Sequence, residues 1–461
     1  MFLAAPTLPD VCAELRAGAA SVDVTPHHLP VGIAGSIAAQ ETDTITSPLH
    51  AKAIVLDDGE TRVGIAVVDN CLLPRDLIDS VKAQVEEATG IPADRILVSA
   101  THTHSAPPVV SVHGNDPEPD YRIELEGKIV LAFRLAADRL APAEVATAAG
   151  DCPEHVFCRR WLMKPGTAFA IPFTDAQANH AQMNPGHQNA NRVRPTGPVD
   201  PQVTVLAMRG TGGNPIALLA NYSTHYVGDS GISADYFGAF GDRIGPMLGA
   251  AEGSGFVGIL SNGTSGDANC VDFSRDEPDS FNVDSVSQKV AEVVMAALEG
   301  ANYRRDLRLD MRQRQVEFAI RQGTPDEVAA ARAFLDENLG DRPVKTWEEN
   351  YARETVLLSE MPARRTIILQ ALAIGDAFAI TAIPCEVYGS TGLAIKGASV
   401  FPMTMNISMA NGAEGYLPPP DQFPLGGYTT WRARSSCLEK GAEPLIRTHI
   451  GEMLVEMAPA P

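Results

Sequence analysis

The sequence predicts an α/β fold with a layered core, built as one large domain. Two observations favour this fold class. Segments with strand, helix and strand character follow one another between residues 51 and 98, an order typical of layered α/β proteins. Further apolar strand pairs and helices recur to the end of the chain, with no internal repeat and no sharp linker between them. One domain over residues 1–461 is therefore expected.

The first predicted elements precede a histidine-rich segment. Residues 16–26 form an apolar strand that ends at a proline. Residues 51–56 and 62–68 flank an Asp-Asp-Gly-Glu turn, which predicts a β-hairpin. Apolar residues at helical spacing predict a helix over 76–88, which stops at Gly-Ile-Pro. A short apolar run at 96–98 then predicts a buried strand.

The second part of the chain contains a long polar segment and several further elements. Residues 164–200 show no periodicity and predict a long loop, and whether it covers a site is left open. The other predicted elements are strand pairs at 203–208 with 215–220 and at 367–374 with 377–383, and helices over 286–298 and 324–339, the last opened by a capping box at Thr324.

Composition and charge exclude several classes of partner. The chain is 45% hydrophobic and 20% charged, as ordinary soluble globular proteins are. Its formal net charge of −21 argues against nucleic acid and anionic lipid as partners. A run of about 18 apolar residues is missing, so no membrane span is expected. Assembly into a homo-oligomer is left open.

Cysteine usage and the N-terminus favour a cytoplasmic location. The seven cysteines, from Cys12 to Cys437, are scattered and never spaced as Cys-x-x-Cys. This pattern indicates neither a disulfide framework nor a thiolate zinc site, and it suits a reducing compartment. Residues 1–7 show no basic segment leading into a long apolar run, so no signal peptide is expected.

The most informative motif is the Thr-His-Thr-His-Ser-Ala-Pro segment at residues 101–107, just after the predicted strand at 96–98. Because side chains alternate along a strand, His102 and His104 are expected on one face, about 7 Å apart at Cα. Two such imidazoles can bind a metal, or divide metal binding and proton transfer between them. Structural hydrogen bonding explains such a pair equally well when it is taken alone.

Other polar groups also follow predicted strands. His225 comes just after the second predicted strand pair, and residues 263–269 form a turn rich in small polar residues. Taken alone, the histidine fits a structural role and the segment an ordinary Asn-Gly turn. Glu386 follows a buried strand, where a carboxylate must be paired, protonated or bound to a metal. Tyr416 and Tyr428 lie in glycine-rich loops.

Along almost its whole length the chain resembles the neutral (non-lysosomal, alkaline) ceramidase family. The Thr-His-Thr-His-Ser-x-Pro block is the most specific match, and the later blocks come in the family's order. The resemblance implies layered mixed β-sheets flanked by helices, and one zinc ion per chain. It implies four zinc ligands: His102, His225, Glu386 and Tyr416. Beside the reacting amide it implies His104, Arg159 and Tyr428, with the choice of Arg159 over Arg160 left open.

The chain departs from that family at two points. The family turn reads Gly-Asp-Val-Ser-Pro-Asn with its serine at the active site, whereas Asn269 stands at that position here. By resemblance, Gly266, Asp267 and Asn269 are candidate substrate contacts, and recognition of a ceramide headgroup is expected to differ. Full-length ceramidases also continue into an immunoglobulin-like domain, but this chain ends shortly after Tyr428, so only the catalytic domain is expected.

Together these observations predict a zinc-dependent hydrolase that cleaves a linear amide bond in a small-molecule N-acyl substrate. Metal-activated water would attack the carbonyl, while His104, Arg159 and Tyr428 stabilise the oxyanion and protonate the leaving amine. The preferred substrate is smaller or more polar than ceramide. Ceramide itself, an ester or lactone, a lyase or isomerase reaction, and a non-catalytic zinc-binding protein remain alternatives.

Overall fold

A computed structural model describes residues 14–340 and 342–458. Its helices are α1 Arg75–Thr89, α2 Pro119–Asp138, α3 Asp235–Met247, α4 Val283–Leu298, α5 Pro325–Asn338, α6 Trp347–Glu360, α7 Gly389–Ala398 and α8 Ala442–Glu456. Its strands are β1 Arg16–Asp23, β2 Val31–Ile33, β3 Gln40–Thr42, β4 His50–Asp57, β5 Arg62–Val68, β6 Ile96–Ala100, β7 Ala141–Asp151, β8 Phe157–Cys158, β9 Arg160–Met163, β10 Ala181–Met183, β11 Arg192–Pro195, β12 Gln202–Gly210, β13 Pro215–Tyr222, β14 Val257–Asn262, β15 Ala268–Asn269, β16 Leu309–Ala319, β17 Arg364–Ile374, β18 Phe378–Ala382, β19 Glu386–Val387, β20 Met403–Ile407 and β21 Tyr416–Leu417.

Two mixed sheets form the centre of the molecule. The larger has eight strands in the order β14-β13-β12-β7-β1-β4-β5-β6, and the smaller has four in the order β16-β17-β18-β20. Most neighbours are antiparallel, but β13 runs parallel to β14, β5 to β6 and β18 to β20. Parallel neighbours bring the carboxyl ends of two strands to the same edge, where loops can share a site.

Helices cover the outer faces of both sheets. On the large sheet, α1 and α2 pack at one end and α3 and α4 at the other. Its inner face packs on the small sheet, so that Ile54 and Leu219 share one apolar cluster with Leu372. On the far side of the small sheet, Ile446 of α8 packs with Leu369. These helix, sheet, sheet and helix layers confirm the predicted fold class.

The predicted elements are confirmed where local sequence signals are strong. The hairpin at β4 and β5 turns through Asp58, whose carboxylate accepts hydrogen bonds from the amides of Glu60 and Thr61. Helix α1 ends at Gly90, which adopts the left-handed φ of 71° that glycine tolerates best. Helix α5 begins with the expected capping box at Thr324. The predicted strand at 16–26, the strand pairs β12–β13 and β17–β18, and helix α4 are also present.

Residues 164–200 are not the structureless loop that the sequence predicts. They contain β10 and β11, which pair with opposite edges of β9 in a three-stranded sheet. These strands are only three and four residues long, too short for a periodic pattern to be recognised. Their hydrogen bonds are non-local, so the prediction was wrong at this segment.

Cys12 and the segment used to predict the absence of a signal peptide lie outside the described residues. Six cysteines within the described part of the chain are buried and unpaired. Among residues 14–340 and 342–458, no helix is both long enough and apolar enough to cross a bilayer. The organisation as one domain over 1–461 stays a prediction.

The large sheet curls until its two edge strands, β6 and β14, approach each other. The side-chain amide of Asn262 at the end of β14 donates a hydrogen bond to the carbonyl of Thr101 just beyond β6 (3.3 Å). The segment after β20 bridges the remaining gap, because Ser408 donates to the carbonyl of Asn262 and Ala100 donates to that of Met409. The curl brings the carboxyl ends of β6, β13 and β14 together.

Candidate metal centre and active site

His102 lies two residues beyond β6 and is 3% exposed. The strand ends at Ala100 and His102 adopts a φ of 69°, so strand alternation, the reason given for its pairing with His104, was wrong. The two imidazoles nevertheless meet, with 3.3 Å between their Nε2 atoms. His102 Nδ1 donates to the backbone carbonyl of Cys71 (2.8 Å), which directs Nε2 into the site.

His225 follows β13 and is fully buried. Its Nδ1 lies 3.2 Å from the carbonyl of Ser265, which follows the neighbouring parallel strand β14. Its Nε2 has no hydrogen-bond partner among the described residues. The ring centroid of His225 lies 4.6 Å from that of His102. Both imidazoles therefore donate through Nδ1 to a backbone carbonyl and turn Nε2 towards one shared space, as histidines that bind zinc through Nε2 commonly do.

Glu386 provides the carboxylate of this cluster. Its Oε2 lies 3.4 Å from His102 Nε2 and forms no hydrogen bond within the described residues. Ligand atoms of Glu386, His102 and His225 all lie within 4.8 Å of one another. Two zinc ligands at bond lengths of about 2.0–2.2 Å in a tetrahedron lie about 3.4 Å apart. His225 Nε2 and Glu386 Oε2 are buried without a hydrogen-bond partner among the described residues, and together with His102 Nε2 they could hold a zinc ion.

Tyr416 lies beside Glu386 because the short strands β19 and β21 run parallel with these two residues in register. The hydroxyl of Tyr416 accepts a hydrogen bond from Nη2 of Arg159 (3.4 Å). The structure therefore brings Tyr416 to the cluster, and its role as a fourth ligand stays a prediction.

The adjacent arginines point in different directions. Arg159 lines the cavity in front of the cluster, here called the main cavity, and its Nη2 also donates to the carbonyl of Gly266 (3.1 Å). Arg160 points away and is fully buried, donating from Nε and Nη2 to Gln422 at 3.2 and 3.1 Å. Of the two guanidinium groups, only that of Arg159 lies where it can reach a ligand at the cluster.

His104 stands on the open side of the cluster. Its ring stacks on Tyr226 with 3.9 Å between centroids, and its Nδ1 lies against the backbone of Gly35. Burial and the nearby His102 and Arg159 lower the pKa of His104 well below its ordinary value. A neutral imidazole in this position can accept a proton.

Burial and neighbouring charges shift the pKa values of the cluster residues. Burial opposes protonation of His102, but Cys71 and Glu386 together raise its pKa well above the ordinary value. Burial and Arg159 lower the pKa of His225. Burial likewise disfavours the charge on Arg159, yet its neighbours, first Tyr428, raise its pKa. Zinc binds the neutral imidazole, so a divalent ion among the three ligands would compete with the proton on His102.

A cavity of about 480 Å³ opens in front of these groups. His104, Arg159, Tyr416 and Tyr428 line it, together with His102 and Glu386 from the cluster. A second cavity of about 310 Å³, here called the aromatic annex, shares Asn184, Trp347 and Tyr428 with the first. Its other walls include Phe169, Met183 and Trp431. The pair of cavities falls in the size range of small-molecule sites.

The residues of the altered turn lie behind the site. Gly266 accepts the hydrogen bond from Arg159, and a Cβ at its position would lie 2.5 Å from the carbonyl oxygen of Glu386. Asp267 is buried and accepts from the amide of Gly389. Asn269 bonds to Asn184, which itself lines both cavities. None of the three turn residues lines either cavity, so the geometry gives them a supporting position, and their contact with substrate stays a prediction.

Several cavity residues were not identified from the sequence. Cys71 Sγ lies within 4.8 Å of ring nitrogens of both His102 and His104, although cysteine spacing gives no hint of it. Tyr226 stacks on His104, and its position next to His225 was the available signal. Arg365 also lines the cavity, and nothing in its local sequence marks it.

Two solved structures with the same fold are ceramidases. Neutral ceramidase from Pseudomonas aeruginosa superposes with a TM-score of 0.69 at 16% sequence identity, covering 97% of this chain and 76% of that chain. A ceramidase complexed with C2 gives a TM-score of 0.70 with the same identity and coverage. No protein-family model and no curated protein matches the sequence. The likeness confirms the predicted fold.

Proposed function

We propose that the chain is a zinc-dependent hydrolase of the neutral ceramidase type, which cleaves the amide bond of an N-acyl substrate. One observation carries the proposal. His102 and His225 are each fixed through Nδ1 by a backbone carbonyl and share a buried space with the unpartnered carboxylate of Glu386. His102 and Glu386 line the main cavity, and His225 lies beside them. Three protein ligands next to a cavity that can admit water are typical of catalytic zinc sites, in contrast to closed structural sites.

The three ligands and the neighbouring phenol of Tyr416 are the residues that would hold the ion. When bound, zinc would lower the pKa of a water ligand to about 7 and supply hydroxide at neutral pH. Hydrolysis then breaks the C–N bond, with the acyl carbon gaining the hydroxyl and the amine nitrogen gaining a proton.

The other cavity residues have the chemistry that this reaction needs. Arg159 carries a charged guanidinium that can donate to the developing oxyanion. Tyr428 presents a phenol on the same wall. His104 is held neutral and can take a proton and return it to the leaving amine. Neither a serine nor a cysteine nucleophile is required.

The aromatic annex supports an N-acyl substrate. Trp347 and Tyr428 separate it from the main cavity, with 5.8 Å between their ring centroids. Its walls carry no charged side chain among the described residues, so an apolar acyl group can enter it without desolvating a charge. Its volume suits a short or medium acyl group.

Hydrolysis by the zinc-loaded protein tests the proposal. We would screen N-acyl amino acids, N-acyl sphingoid bases, esters and lactones, then remove zinc by chelation and return it. We expect amide turnover that disappears with zinc and returns with it. His225→Ala should abolish both zinc binding and turnover, whereas His180→Ala, an exposed histidine outside the cavities, should change neither.

Two outcomes would contradict the proposal. Amide turnover that persists in a fully zinc-free preparation would exclude the metal mechanism. If the zinc-loaded protein hydrolyses esters or lactones but none of the amides, the zinc site would stand and the assignment of an amide substrate would be overturned. The cytoplasmic location is retained as a prediction.

A further inference from the structure

The main cavity is cationic in a strongly acidic protein. The whole chain carries a formal charge of −21, yet three arginines line this cavity, namely Arg159, Arg365 and Arg434. Glu386, assigned above to the metal cluster, is the carboxylate among the lining residues. Such local reversal of charge favours an anionic ligand.

Arg434 is fully engaged by the protein. Its guanidinium forms a bidentate pair with Glu354, which is fully buried, at 2.7 to 3.2 Å. Its Nη1 donates to both the carbonyl and the hydroxyl of Ser111. Arg434 therefore fixes the cavity wall and has little hydrogen-bonding capacity left for a ligand.

Arg365 differs from Arg434 in this respect. Its Nε lies 2.9 Å from Oε2 of Glu414, a residue 2% exposed behind the wall. Neither Nη group of Arg365 forms a hydrogen bond to any residue in the described ranges, and its side chain is 34% exposed. Glu414 offsets part of the charge and orients the guanidinium, while the Nη donors remain available at the cavity.

We propose that Arg365 binds a carboxylate on the amine half of the substrate, so that the enzyme acts on N-acyl amino acids. This inference rests on the proposed function. A planar guanidinium with free Nη donors matches a carboxylate, which can accept two parallel hydrogen bonds. Arg365 does not line the aromatic annex, so the acyl group and the carboxylate would occupy different ends of the combined space.

Three substrates with one acyl chain test the inference. N-octanoylglycine carries a carboxylate, N-octanoyl-phosphoethanolamine a phosphate and N-octanoylethanolamine no charge. We expect kcat/KM for the glycine conjugate to exceed that for the neutral conjugate by about 10-fold or more, since hydrogen bonds to charged groups are strong. A preference for the phosphate would overturn the carboxylate assignment, as would equal rates for all three.

Variants of Arg365 locate the effect. Arg365→Gln should lower kcat/KM for N-octanoylglycine by about 10- to 100-fold, mainly through KM, and leave the neutral conjugate nearly unchanged. Arg365→Lys keeps the positive charge but lacks the planar guanidinium. Its kcat/KM for N-octanoylglycine should lie between those of wild type and Arg365→Gln. Arg364→Gln is the matched control, because this neighbouring arginine is exposed and pairs with Glu317 at 2.6 Å. Equal losses for charged and neutral conjugates would contradict the inference.

A binding measurement separates this inference from the proposed function. Calorimetry with N-octanoylglycine and the zinc-loaded protein needs no turnover. Tighter binding to wild type than to Arg365→Gln supports the carboxylate site even when no hydrolysis occurs, in which case the proposed function alone fails. Binding that is independent of Arg365 overturns the site, whatever the activity.

Discussion

Asn262 donates a hydrogen bond from its side-chain amide to the carbonyl of Thr101, and its Oδ1 accepts another from the hydroxyl of Ser265 (2.8 Å). Thr101 immediately precedes His102, and the carbonyl of Ser265 accepts from His225. One buried amide thus fixes the backbone behind both imidazoles. It also joins the two edges of the curled sheet.

Asn262→Ala should therefore weaken zinc binding without removing a ligand. We expect a zinc Kd about 10- to 100-fold higher, the usual cost of losing an outer-shell contact. A competing chelator measures this value. Asn221→Ala is the control, because Asn221 is also buried and bonds to Ser261 but contacts neither histidine. Equal weakening in both variants would show a general loss of stability.

Substitution of Arg159 should lower the catalytic rate, whereas substitution of Arg160 should mainly lower stability. Arg159→Lys removes the guanidinium fork from the cavity, and we expect kcat to fall about 100-fold with the fold retained. Arg160→Lys breaks its contacts with Gln422 and should cost about 1–3 kcal/mol of unfolding free energy, with a smaller change in kcat. Steady-state kinetics and denaturant unfolding measure both. The reverse pattern would assign the catalytic role to Arg160.

Gly35→Ala should displace His104. A Cβ at this position would lie 2.3 Å from His104 Nδ1, and Gly35 has a φ of 102°. We expect a loss of about 1–2 kcal/mol of stability together with a kcat at least about 10-fold lower. Gly166→Ala shares the positive φ but meets no atom within 4 Å, so it should lose stability alone. Unchanged kcat in Gly35→Ala would contradict a role for His104.

Lys82 gives a pH-dependent prediction away from the active site. Its Nζ has no hydrogen-bond partner among the described residues. Burial lowers the pKa of Lys82 to about 7, and the nearby Arg75 acts in the same direction. Asp79 and Asp94 oppose this shift only in part. Below pH 7 folding bears the full cost of burying the charge, up to about 5 kcal/mol. Between pH 7 and 10.5 the unfolded state binds more protons, so this cost declines as pH rises.

Lys82→Met should accordingly stabilise the protein most at pH 7 and below, with the gain shrinking towards pH 10. Denaturant unfolding at several pH values measures it. Lys164→Met, at an exposed lysine, should show no such trend. A gain for Lys82→Met that is constant with pH would indicate that only packing had changed.

The sequence predicted those elements whose signals are local. The hairpin of β4 and β5, the capping box at Thr324 and the end of α1 at Gly90 each depend on a few adjacent residues. Strands β10 and β11 escaped prediction because their stability comes from pairing with β9.

The site was predicted in part, and for a similar reason. His102, His225 and Glu386 could be named because each follows a strand and matches a family motif. Their convergence depends on the curl of the large sheet and on a left-handed backbone at His102, neither of which has a local signature. Cys71 and Arg365 reach the cavity through tertiary packing alone, so no pattern along the chain could reveal them.

Anomalous X-ray diffraction at the zinc absorption edge, on crystals grown from metal-replete protein, tests the central claim most directly. The account predicts one zinc-specific peak per chain at about 2.0–2.2 Å from Nε2 of His102, Nε2 of His225 and a carboxylate oxygen of Glu386. A map without a peak there, or with zinc bound only elsewhere, would contradict it.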